Sequence, residues 1–171
     1  FVQGDEATAR RRLTEVLSGA SLGAMAVEAN AALAFVARAS GAVLGGDAHV
    51  DRGMRPADQA VKGDAWRYEA LSDRAILRAR AGRQDEALQD LRAARALCSD
   101  GELPDLAEAV VKAKKGDLAG MRVSLEAARI KATRAPRVAE GVAAFAEKLE
   151  GAAGEQPQST YVPPTPSTPQ S

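Results

Sequence analysis

The chain has 171 residues, enough for one domain with a short appendage. Lys plus Arg equals Asp plus Glu at 23 each, so the net charge is zero and the basic excess of a phosphate-neutralising protein is missing. Aromatic residues make up only 4%, alanine is the commonest residue, and prolines sit at element ends and in the tail, which points to an all-α protein.

Asp5 opens a helical pattern over 5–18 with Ala7, Leu13, Val16 and Leu17 apolar, and Ser18-Gly19 stops it. A second helix is predicted over 21–44, where Leu22, Met25, Ala29, Ala32, Leu33 and Val36 recur at spacings of three and four. It reads as the most buried helix of the chain. Glu28 and Arg38 interrupt this apolar stretch, so a membrane span is not expected. Residues 45–55 read as a loop, and Pro56 as the first residue of a short helix ending at Lys62-Gly63. Asp64 is a candidate N-cap for a helix that carries Trp66, Leu71, Ala75, Ile76 and Ala79 and ends at Gly82. Gln84–Leu97 is the next helix, with Ala87, Leu88, Leu91, Ala94 and Leu97 on one face. Pro104 opens a helix ending at Lys115-Gly116, Asp117 caps another with Met121, Leu125 and Ala128 inward, and Pro136 opens a last one ending at Gly151. After about Gly154 the chain is Pro, Gln, Ser and Thr, too polar to join a core. The helical domain is therefore set at 1–153 and an extended tail at 154–171.

The chain repeats itself at a spacing of 34 residues. With 68–99 laid on 102–133, Ala75/Ala109, Ala79/Ala113, Gly82/Gly116, Leu91/Leu125, Ala93/Ala127, Ala94/Ala128 and Arg95/Arg129 coincide. These matches fall on two helix stripes and the glycine turn between them, as expected for stacked hairpins that cannot bury their apolar faces alone. Gly82 and Ala87 form a Gly-x-x-x-x-Ala turn, followed by a large residue, Leu91, and a small one, Ala94. This segment resembles the middle of a tetratricopeptide repeat. The resemblance implies two antiparallel hairpins, 68–99 and 102–133, stacked as a short right-handed solenoid with 137–150 as a capping helix. The chain departs from the family in lacking the aromatic positions of the first helix and the proline that usually ends each unit; the turn is also shortened.

Nothing in the sequence reads as an active site. His49 is the only histidine and Cys98 the only cysteine, so no intrachain disulfide forms and no metal-ligand set surrounds either one. His49 reads as a loop residue and Cys98 as a small core residue near a helix end. No cofactor is expected and the chain is not read as an enzyme. The family resemblance implies a binding module, an adaptor or accessory subunit of a larger protein assembly. Its first helices would line a concave groove with Leu77, Arg80, Val111, Lys114 and Lys115, a mildly apolar strip with a basic edge that suits an acidic or C-terminal peptide segment. The tail prolines are spaced for a polyproline II helix, and Tyr161, Val162, Pro163 and Pro164 are its expected partner anchors. The expected partners are other protein subunits, with no nucleic acid, no membrane span and no small-molecule ligand. The alternatives are a small helical ligand carrier or enzyme subunit, marked by a deep pocket near His49 or Trp66, and a nucleic-acid binder, marked by a basic stripe joining Arg10–Arg12 to Arg78 and Arg80. The first residue, Phe1, points to a processed or truncated start, and the compartment stays open between a bacterial envelope and the cytoplasm.

Overall fold

Eight α-helices and no strand make up the described part of the computed structural model, which comprises residues 6–19, 24–39, 43–45, 48–63 and 67–155. They are α1 (Glu6–Gly19), α2 (Ala24–Ala39), α3 (Ala48–Lys62), α4 (Arg67–Arg80), α5 (Gln84–Leu97), α6 (Leu103–Lys114), α7 (Leu118–Ala132) and α8 (Pro136–Gly154). None is long and apolar enough to cross a membrane.

The helices pack in a regular order. Each of α2, α4 and α6 pairs with the helix that follows it and also touches the next member of the series α2, α4, α6, α8. The intervening helices α3, α5 and α7 also touch the helix that follows them, so every connection is to a near neighbour in sequence. One large apolar cluster runs from α4 to α8 and includes Ile76, Leu91, Leu106, Val110, Met121, Leu125, Val142 and Leu149. Leu44, from the link between α2 and α3, belongs to it as well. The core of α2 and α3 is smaller and alanine-rich. Ala34, Ala37, Val50 and Ala57 gather around Leu77, and Ala31 and Ala60 around Ala70. Small side chains let these helices approach closely. Gly53 shows how closely, because a Cβ there would fall on Ala37 and against Leu77.

Three expectations need correction. α3 begins at Ala48, so 48–55 is helix and Pro56 lies in its interior. The burial of Val50 and Gly53 against α2 and α4 supplies the reason: that packing outweighs the one backbone hydrogen bond that Pro56 cannot donate. The deepest helices are α4 and α6, not α2, because each is covered on more than one side by its neighbours. Leu97 is 53% exposed rather than inward, since the buried stripe of α5 runs through Ala87, Leu91 and Ala94 and leaves the last turn outside it.

Candidate functional site

The repeat is written into the backbone at its two turns. Gly82 and Gly116 have φ of +80° and +77°, a region that costs a residue with a Cβ about 1–2 kcal/mol. After α4, the Gly82 N–H donates to Ala79 and the Arg83 N–H to Arg78. After α6, the Gly116 N–H donates to Ala113 and the Asp117 N–H to Lys112. Both turns are Schellman motifs, and every bond in one has its counterpart 34 residues on in the other. The side chains follow the same register. Ala75/Ala109, Ile76/Val110, Ala79/Ala113, Leu91/Leu125 and Ala94/Ala128 are all buried. Asp117 accepts from the Gly120 N–H at 2.8 Å and caps α7, whereas Arg83 at the matching place makes no side-chain cap.

The strip expected to line an open groove is covered. Leu77 is fully buried among Ala34, Ala37, Val50 and Ala57, and Val111 lies in the main core. Arg80 is 1% exposed. Its Nε donates to the Gly45 carbonyl at 3.1 Å, and its Nη1 donates to Ala37 and Arg38 carbonyls at 3.2 and 3.4 Å. Lys114, one period later, donates from Nζ to the Leu44 carbonyl at 3.1 Å and is half-buried. The two cations therefore hold the end of α2 and the segment after it. The last carbonyls of a helix lack intrahelical donors and carry partial negative charge, so cations satisfy them well. Of the five groove residues, Lys115 alone is exposed. Leu77 and Arg80 are thus inward-facing because α2, α3 and residues 43–45 pack against them, whereas Val111 is buried within the α4–α8 core that Leu44 joins. Tyr161, Val162, Pro163 and Pro164 lie outside the described residues, as do Asp64 and Trp66.

Around this strip runs a polar network that the sequence alone did not assign. Asp90 of α5 takes a two-pronged contact from Arg74 at 2.7 and 2.9 Å and a third hydrogen bond from Arg78 at 2.7 Å. Arg74 also reaches Asp58 of α3 at 3.0 Å, so three helices meet at two arginines. At the matching repeat positions Lys112 donates to Ser124 at 3.0 Å, a weaker copy of the Arg78–Asp90 pair. Glu108 takes the place of Arg74 and pairs back to Arg95 of the preceding helix, reversing the charges. Asp105, 5% exposed, is held by Arg95 at 3.0 Å and Lys131 at 2.6 Å. Lys131 also donates to the Ser99 carbonyl at 3.0 Å and so ties α7 to the α5–α6 link. Tyr68 of α4 accepts the Leu103 N–H at the start of α6, and its ring leaves no room for a Cβ at Gly101.

A second buried pair joins α2 to α4, where Arg38 meets Asp73 and stacks over the Phe35 ring 4.7 Å from its centre. Burial pushes the Asp73 carboxyl above its ordinary value, and Arg38 opposes that shift. The sequence carried one signal for these contacts. Arg38 interrupts an apolar run, and a charge in an apolar run needs a partner, whereas Asp73 and Arg80 stand close to other charged residues and carry no such signal.

The other candidates are less built. His49 is the second residue of α3 rather than a loop residue, and is half-buried; Cys98 is half-buried just after α5. Among the described residues no three His, Cys, Asp or Glu side chains gather as metal ligands. An open depression follows α1 along Ala7, Arg10, Arg11, Thr14, Glu15 and Ser18. Comparison of the chain with protein-family models, with curated proteins and with solved structures finds no match in any of the three.

Proposed function

We propose that this protein is a protein-interaction module, an adaptor or accessory subunit of a larger assembly, built from tetratricopeptide-like hairpins. One observation carries the reading: two consecutive hairpins share turn, register and buried stripe at a 34-residue period. The serial order of helix contacts supports an extended array, and such arrays serve mainly as surfaces for other proteins. In this reading α2, α4, α6 and α8 form the inner layer of a short solenoid, and Lys115 marks the open basic edge of its groove. An acidic or C-terminal peptide segment suits that edge. The tail 156–171, with Tyr161, Val162, Pro163 and Pro164, is the second contact, since proline fixes φ near its bound value and lowers the ordering cost.

The test is co-purification from the native source with the full chain, a chain ending at residue 155, and a Lys115→Glu variant, at matched salt. A stoichiometric protein partner should be retained by the full chain and lost or weakened in both variants, with helical content unchanged. Retention equal in all three would remove both surfaces. If the full chain holds no protein partner and instead binds nucleic acid, the adaptor reading falls.

A further inference from the structure

The structure holds a cationic strip and, seated on it, a piece of the same chain. Arg80 and Lys114 stand one repeat apart at the ends of α4 and α6, and both donate to backbone carbonyls of the α2 end and the link beyond it. Leu44 is 7% exposed and enters the main core between those two lysine and arginine contacts. We propose that residues 43–45, with the last turn of α2, form an intramolecular latch that occupies the α4–α6 strip, and that α2 and α3 swing away together to expose it.

Three features of the interface support a latch rather than a permanent core. First, α4 to α8 share one continuous apolar cluster, whereas α2 and α3 meet α4 through two small clusters made mostly of alanine. Little apolar area per residue is buried there, so its separation is less costly than opening the α4–α8 core. Second, apart from Val43 and Leu44, which plug into the main core, the remaining contacts across the interface are polar: Arg38 with Asp73, Asp58 with Arg74, and the carbonyls held by Arg80 and Lys114. Water can take over each of these on opening, which it cannot do for buried leucines. Third, the latch is local in sequence, so its release leaves both repeated hairpins and their turns intact.

The geometry of the latch stands by itself, but its use, clearing a strip for a partner, rests on the adaptor reading above. Hydrogen exchange of the full chain under native conditions tests the latch without any partner. The amides of α2 and α3 should exchange together in a partial opening, faster than those of α5 to α7. Leu44→Ser should speed exchange across 24–62 by about tenfold or more while leaving 84–132 unchanged. Lys114→Met, a milder change, should act in the same direction if Leu44→Ser proves too disruptive. A lysine-acetylating reagent gives a second readout with an internal control. Lys114 should react more slowly than its exposed neighbour Lys115, and the gap should close in Leu44→Ser. Exchange of 24–62 only together with the whole molecule, or a Lys114 to Lys115 ratio unmoved by Leu44→Ser, overturns the latch. Either result leaves the adaptor reading standing, because that reading is decided by retention of a partner.

Discussion

Glu108 shows how a single residue in the network makes stability depend on pH. Burial pushes its carboxyl up, but Arg95 and Lys112 outweigh that and hold it below the ordinary 4.5. An acid whose folded pKa is depressed binds fewer protons folded than unfolded on acidification. Its stabilisation is therefore complete above 4.5 and is lost as pH falls through the folded value. Glu108→Gln is expected to lower stability at pH 7 and to flatten the acid limb, so that variant and wild type converge at low pH. Urea unfolding at a series of pH values checks this, and parallel curves offset equally at every pH would refute it. Asp73 has the opposite sign. Its folded pKa is raised by burial, so its ionisation weakens the fold as pH rises from 3.8 through that value. Arg80 belongs at this scale too. It was expected at a surface, but Arg80→Met removes the donors of three carbonyls and should cost about 1–3 kcal/mol.

At the scale of elements, α3 and the two turns invite opposite experiments. Pro56 interrupts the hydrogen-bond ladder of α3 although the helix continues through it. Pro56→Ala restores a donor in the helix interior and should stabilise by about 1–2 kcal/mol, after the gain in unfolded-chain freedom is set against it. A lower midpoint in thermal unfolding would show that α3 needs the proline for its fit against α2 and α4. The turns behave the other way. A Cβ at Gly82 or Gly116 meets no atom, so space is not the constraint there, but positive φ is. Gly82→Ala and Gly116→Ala should each destabilise by about 1–2 kcal/mol and by similar amounts, since the two turns share one hydrogen-bond pattern. A large difference between them would mean that the two hairpins are not equivalent in energy.

For the molecule as a whole, the continuous core of α4 to α8 sets the expected cooperativity. Leu91 and Leu125 occupy equivalent places in that core and are fully or almost fully buried. Leu91→Ala and Leu125→Ala should each cost about 2–5 kcal/mol. If α4 to α8 form one cooperative unit, each variant should shift the unfolding of all five helices together. Protection lost in only one hairpin would show that the two repeats unfold separately. The serial contacts keep most interactions between neighbours in sequence, which favours fast folding from local hairpins.

The all-α class, the turns at Gly82 and Gly116, the Asp117 cap, the buried stripe of α7 and that of α5 as far as Ala94 were legible in the chain. Each rests on a local rule: alanine-rich helix propensity, the need for glycine at positive φ, a carboxylate beside free N–H groups, and the three-four spacing of apolar residues. Local rules place a residue on a face but do not say what covers that face. Leu77, Arg80 and Val111 sit where a groove would be; the docking of α2, α3 and residues 43–45 buries Leu77 and Arg80, and the α4–α8 core with Leu44 buries Val111. The same holds for α3, whose first turns are fixed by contacts with Ala37 and Leu77 that no local signal announces. Long-range partners decide burial, and burial decides whether an arginine at the end of a helix meets solvent or the carbonyls of another helix.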